Sequence, residues 1–163
     1  MNRLTYSVTE AEPADADEIA GLIRRAIVEL CAADHGNDPN RYRPMIANKT
    51  ADNVRGWIEG PGNVLVAVQE TSEGRSIVGV GMGSKAGKVL LNYVLPGATG
   101  NGVGASLMRS LELIFFEAGL ERSFLTSSIA AENFYRSMGY RETGRTEHHR
   151  EATFLEFEKA LRS

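Results

Sequence analysis

The sequence predicts a single mixed α/β domain over residues 1–163, and three observations predict it. Strand-like and helix-like segments alternate along the whole chain. Three consecutive strand-like runs are joined by tight turns, the pattern of an antiparallel meander. A long amphipathic run then separates two further strand-like runs, so it can cross over, right-handed, between parallel neighbours. A chain that is 42% hydrophobic and 24% charged, with no repeat, linker or low-complexity segment, suits one core.

Tyr6 and Val8 alternate with polar residues and predict a short first strand. Pro13 fits a first helical position, and Ile19, Leu22, Ile23, Ala26, Ile27 and Leu30 form one apolar helical face from Ala14 to about Ala33. Asp34 to Lys49 is polar and irregular and reads as a loop with room for a short helical piece. Thr50 is positioned to cap a second helix, Ala51–Glu59. Gly60-Pro61-Gly62-Asn63 is a turn. The meander follows as Val64–Glu70, Ser76–Ser84 and Val89–Leu95. The long helix runs from Val103 to about Ala118 and stops at Gly119. A strand at Phe124-Leu125-Thr126, a helix from Ala130 to Met138, and strands at Arg141–Thr146 and Thr153–Lys159 complete the chain.

Composition excludes several functions. A net charge of -3 argues against a general nucleic-acid binder, which needs a basic face. One cysteine, Cys31, rules out an internal disulfide framework, and its helical apolar setting makes it a small core residue. No Cys/His cluster has metal-ligand spacing, and His148 and His149 point to opposite faces as strand neighbours, so no metal is expected. Without a signal peptide or a membrane-length apolar run, the expected location is the cytoplasm, with no membrane partner.

The most informative stretch runs from Leu90 to Leu107. A strand ends at Pro96, a loop Gly97-Ala98-Thr99-Gly100-Asn101-Gly102-Val103-Gly104 follows, and a helix starts at once. A helix N-terminus carries about half a positive charge and unpaired N–H donors. Glycines let phosphate oxygens approach the backbone. No Lys follows Gly104, so this is not a P-loop, and the glycine spacing is wrong for a dinucleotide fingerprint. Alone, the loop fits a tight turn with a helix cap as well as it fits a ligand site.

A second segment adds weight. Val94-Leu95-Pro96, two residues, Thr99, then Gly100, Gly102 and Gly104 resembles the cofactor loop of the GNAT acyltransferase superfamily. Ser128, Ala131, Tyr135, Gly139 and Tyr140 resemble its later motif, in register. Thr99 replaces the usual Arg or Gln, and Ser128 the frequent Asn. The resemblance covers essentially the whole chain. It implies an α/β fold with a central mixed, mostly antiparallel sheet, splayed parallel strands and about four flanking helices.

It further implies acetyl-CoA, or another acyl-CoA, as co-substrate and a small-molecule or peptide amine as acceptor; a homodimer is compatible with it. The implied cofactor contacts are the Val94 backbone, Thr99, the Gly100, Asn101, Gly102, Val103, Gly104 and Ala105 amides, and Ser128. Asn133 either contacts pantetheine from the helix edge or is solvated, and Arg136 either reaches a CoA phosphate or is a solvated cation. Tyr135 is the implied general acid: a phenol with a reference pKa near 10 is protonated at pH 7 and can protonate a leaving thiolate. A non-catalytic acyl-CoA-binding module and a nucleotide-binding regulatory domain are the rival readings.

The acceptor side is less legible. Asp34, His35 and Asp38 are candidates because the resemblance places their loop over the acceptor pocket, and Asn92 on the cofactor strand is a candidate for orienting the acceptor. Gly79, Gly81 and Gly83 alternate along one strand and share a face, with Val78, Val80 and Met82 on the other. They predict either an unusually close helix or a smooth wall beside the ligand. Phe115 and Phe116 fit core or dimer contact.

Overall fold

The computed structural model describes residues 4–149 and 152–162; the side chain of His149, and with it the expectation for the His148–His149 pair, lies outside the described residues. β1 (Ser7–Glu10) leads through a 3-10 turn at Pro13–Asp15 into α1 (Ala16–Leu30). The periodicity predicted a longer helix. It breaks at Cys31 (φ -107°, ψ 33°), where His35 folds back and its Nε2 donates to the Ile27 carbonyl at 2.7 Å.

The segment predicted as a loop holds α2 (Ala32–His35) and α3 (Pro39–Ile46). Pro39 starts α3, and Asp38 caps it by accepting from the Asn40 N–H at 2.9 Å. No residue of α3 is fully buried; Tyr42, Met45 and Ile46 are half-buried on one face, with Met45 and Ile46 against the α1 cluster, a stripe too short for periodicity to detect. α4 (Ala51–Glu59) is capped by Thr50 as predicted, through a 3.2 Å bond from the Asn53 N–H.

β2 (Asn63–Thr71), β3 (Gly74–Gly83) and β4 (Val89–Val94) form the expected meander, and β1 adds to β2. α5 (Val103–Glu117) then leads to β5 (Arg122–Ser127), a 3-10 turn at Ile129–Ala131 and α6 (Glu132–Ser137). The hairpin of β6 (Arg141–His149) and β7 (Ala152–Ala160) completes a second sheet, ordered β5-β7-β6, and is longer than predicted. Six α-helices stand among the described residues where about four were expected; the additional ones are the short α2 and α3.

The two sheets meet at one parallel point. Lys88 bridges Phe124, and the Phe124 N–H donates to the Gly87 carbonyl at 3.0 Å. Toward Val94 and Ser127, β4 and β5 share no further pair among the described residues. The sheet is therefore split into the expected V, with backbone edges facing each other across the opening.

Two apolar clusters cover the faces of the first sheet. Ile19, Ile23 and Ile27 of α1 pack with Val54, Val66 and Val80 on one side. Leu107, Leu111 and Phe115 of α5 pack with Leu125, Tyr140 and Phe157 on the other. α5 lies against the glycine track: a Cβ at Gly79 would fall 2.6 Å from Val103 Cγ1, and one at Gly83 2.6 Å from Phe115 Cζ. The close-helix reading is thus the correct one, and the track is not a wall of the ligand site. Val78, expected with Val80 and Met82, packs with the α5 cluster, because a β-bulge beside Ala67 and Val68 shifts the register. Phe115 is core, whereas Phe116 is 44% exposed under the Arg162 guanidinium.

Candidate active site

A cavity of about 270 Å³ opens where β4 and β5 diverge. It is lined from four directions: by Asn92, Tyr93 and Val94 of β4, by Thr99 and Gly104 of the glycine loop and α5, by Ser128, Ala130, Ala131, Phe134 and Tyr135, and by Ala26, Leu30 and Cys31 at the end of α1. A larger open groove of about 840 Å³ lies elsewhere, around Arg122, Lys159 and Arg162. There Arg122 pairs with Glu158 and Lys159 with Glu112.

The glycine loop bends through left-handed backbone at Gly97 (φ 87°), Gly100 (φ 81°) and Gly102 (φ 79°). A Cβ at Gly97 or Gly100 would meet nothing within 4 Å, so these glycines serve backbone conformation and leave open space. Asn101 is turned inward to brace the loop. Its Nδ2 donates to the Ala98 and Thr99 carbonyls, at 3.0 and 3.2 Å, and its Oδ1 accepts from the Leu4 N–H. Gly102 begins α5 with no side-chain cap, and the first internal bond of the helix runs from the Ser106 N–H to the Gly102 carbonyl. The N–H groups of Val103, Gly104 and Ala105 in the first turn therefore have no intrahelical acceptor. Thr99 and Gly100 are exposed beside them.

Tyr135 is 7% exposed and edge-on to both Phe134 and Tyr140. Burial pushes its phenol up to about 12, and the Asn92 amide acts in the opposite direction. Asn92 joins this phenol to the loop: its Nδ2 donates to the Gly104 carbonyl at 3.3 Å, while its Oδ1 is buried with no partner. An orphaned buried acceptor costs about 1–3 kcal/mol, a cost that persists where a ligand can supply the missing donor. An open glycine cradle, bare helix N–H groups and this orphaned oxygen fit a ligand with a polyanionic end and an amide-bearing arm, as an acyl-CoA has.

The other sequence-derived residues are placed as follows. Ser128 lines the cavity and starts the 3-10 turn. Asn133 is exposed, with its Oδ1 toward Arg136. Arg136 pairs with Glu142 at 2.5 Å and lies over Phe157. Asp34 and His35 are used by the fold. Asp34 accepts from the Ile129 N–H at 2.7 Å and the Ala130 N–H at 3.2 Å, which fastens α2 to the turn after β5. His35 is fully buried; its Nδ1 accepts from the Asn37 N–H at 3.0 Å while Nε2 donates to Ile27, the arrangement of a neutral ring. Asp38 is the α3 cap.

Sequence reasoning missed Tyr93 and the ligand-facing position of Cys31. Burial, followed by the charges of Cys31, Tyr135 and Asp34, raises the Tyr93 phenol. Burial, then Asp34, raises the Cys31 thiol to about 11. Strand alternation was a usable signal for Tyr93, since it must face away from Asn92 and Val94, toward α1.

The comparisons agree with this architecture. The family model described as an acetyltransferase (GNAT) domain matches residues 42–161. The chain belongs to this family of acetyltransferases, and it is thereby an acyltransferase. A GCN5-related N-acetyltransferase from Rhodopseudomonas palustris is similar in structure, with a TM-score of 0.83 at 21% identity over 98% of each chain. The PaiA N-acetyltransferase of Thermoplasma acidophilum, solved with coenzyme A, has a TM-score of 0.77 at 15% identity, over 96% of this chain and 99% of its own. YncA from Salmonella typhimurium, solved with acetyl-CoA, has a TM-score of 0.70 at 18% identity, over 98% of this chain and 95% of its own. No curated protein matches the chain. Among the described residues no helix is long and apolar enough to cross a membrane, and no group of three metal-ligating side chains occurs.

Proposed function

We propose that the chain is an acetyl-CoA-dependent N-acetyltransferase that moves an acetyl group to a primary amine of a small molecule or peptide by direct attack on the thioester. The observation that carries this reading is the placement of Tyr135 in the cleft between β4 and β5, beside an uncapped helix N-terminus. Acetyl-CoA supplies an activated acyl group. The Gly100–Ala105 amides bind its pyrophosphate, and the open edge of β4 at Val94 and the Ser128 side chain align its arm. Holding both reactants in one narrow cleft supplies proximity, which is a large part of the rate.

The proton balance falls to Tyr135. As the C–N bond forms and the C–S bond breaks, the sulfur takes the phenol proton, the nitrogen gives its surplus proton to water, and water returns a proton to the Tyr135 phenolate. Burial makes the Tyr135 phenol a weaker acid, and a thiolate shielded from water in the same cleft is a stronger base than it is in solution.

Changing Tyr135→Phe tests the assignment. Turnover, followed as free CoA thiol, is expected to fall about 10²–10⁴-fold while acetyl-CoA binding by calorimetry stays within about threefold. Unchanged turnover removes Tyr135 from the mechanism. A wild-type protein that binds acetyl-CoA yet acetylates no amine is an acyl-CoA-binding module instead.

A further inference from the structure

Among the described residues, no charged side chain lines the acceptor side of the cavity. Ala26, Leu30, Cys31, Tyr93 and Ala130 line it, and none is ionised near neutral pH. Four charged or titratable groups on the surrounding elements have partners of their own, and of these the Asp34 charge still reaches Cys31 and Tyr93. Asp34 is held by two backbone N–H groups, and His35 uses both ring nitrogens inside the fold. Glu29 pairs with Arg25 on the outer face of α1, and Glu132 faces Arg136 on α6. Leu30 and Ile129, at 41% and 54% exposure, add apolar surface at the ends of the two elements that bound this side. A polycation would leave its charges unpaired here, at a high desolvation cost. Among the described residues that line the cavity, none is a carboxylate or an imidazole.

Resting on the N-acetyltransferase reading, we infer that the acceptor is a low-basicity amine on an uncharged, apolar body, which enters already neutral. The α-amino group of an apolar amino-acid amide is of this class; polyamines and lysine-like ε-amines are not. The neutral nitrogen attacks, its surplus proton passes to water, and Tyr135 protonates the departing sulfur. At pH 7.5, an α-amino group with a pKa near 7.8 is about one-third neutral, against ~0.1% for an alkylamine near 10.4.

The test uses the whole chain with acetyl-CoA and three probes: phenylalaninamide, phenethylamine and spermidine. At pH 7.5, kcat/KM for phenylalaninamide is expected to exceed that for phenethylamine by up to about a hundredfold, with spermidine lowest. Log kcat/KM is expected to rise with unit slope up to the pKa of each amine, so the break moves with the probe. Introducing a carboxylate by Leu30→Glu is expected to raise spermidine turnover. A break at one pH for all three amines reveals an enzyme base and overturns the inference, as does a preference for spermidine. Calorimetry with acetyl-CoA separates the two levels: binding with the wrong amine preference sinks only the acceptor class, whereas absence of binding sinks the transferase reading itself.

Discussion

Two sets of glycines in this chain look alike in sequence and do opposite work. Gly79, Gly81 and Gly83 have their missing side chains filled by α5, whose Val103, Leu107, Leu111 and Phe115 pack onto bare backbone. Gly97 and Gly100 have nothing within 4 Å of the absent Cβ, and their backbone lies in the left-handed region. In the track, glycine provides space that the protein itself uses. In the loop it provides a chain path and leaves the space for something else. The two are mechanically linked, because α5 both presses on the track and presents its first turn to the loop.

Substitution by alanine separates the two uses. The largest effect is expected at Gly79→Ala and Gly83→Ala, where the new Cβ lies 2.6 Å from its nearest neighbour. Each overpacks the interface and is expected to cost about 1–3 kcal/mol, or roughly 2–4 °C in melting midpoint per kcal/mol. Urea unfolding measures it, and unchanged stability would mean that α5 can lift off the sheet. Gly100→Ala has room but must hold a φ of 81°. It is expected to lose about 1–2 kcal/mol of stability and about tenfold in acetyl-CoA affinity. Calorimetry that finds full affinity would show that the loop does not need this backbone. The smallest effect is expected at Gly104→Ala, inside α5, where the nearest atoms are 3.5 Å away at Phe134 and 3.6 Å at Val94. Helix propensity favours alanine there, and a gain of about 0.5–1 kcal/mol is expected from the same unfolding curves. A loss would show that Phe134 and Val94 cannot give way.

The fold was legible wherever the evidence is periodic. The α1 face, the meander and α5 each repeat an apolar spacing over several turns or strand residues, and each stands where the sequence predicted it. The loop was legible because its glycines fall close together and directly precede a helix. α3 escaped because it is short and none of its residues is fully buried. Asp34 and His35 were candidates because the resemblance places their segment over the acceptor pocket, and a polar segment gives no local sign of the partners its side chains find. Asn92 was legible as a polar residue on an apolar strand, but not as an orphaned acceptor beside Tyr135.

By itself, the sequence determined the element types, their order, the glycine loop and the position of Tyr135 in its helix, since these follow from spacings of a few residues. The tertiary structure decided what those residues face. It filled the Gly79–Gly83 track with a helix, tied Asp34 to N–H groups 95 and 96 residues away, and left one side of the cavity uncharged. The physical reason is that periodicity is a short-range property of the chain. The partner of a buried polar atom is chosen by packing between elements, and no short-range spacing records that choice.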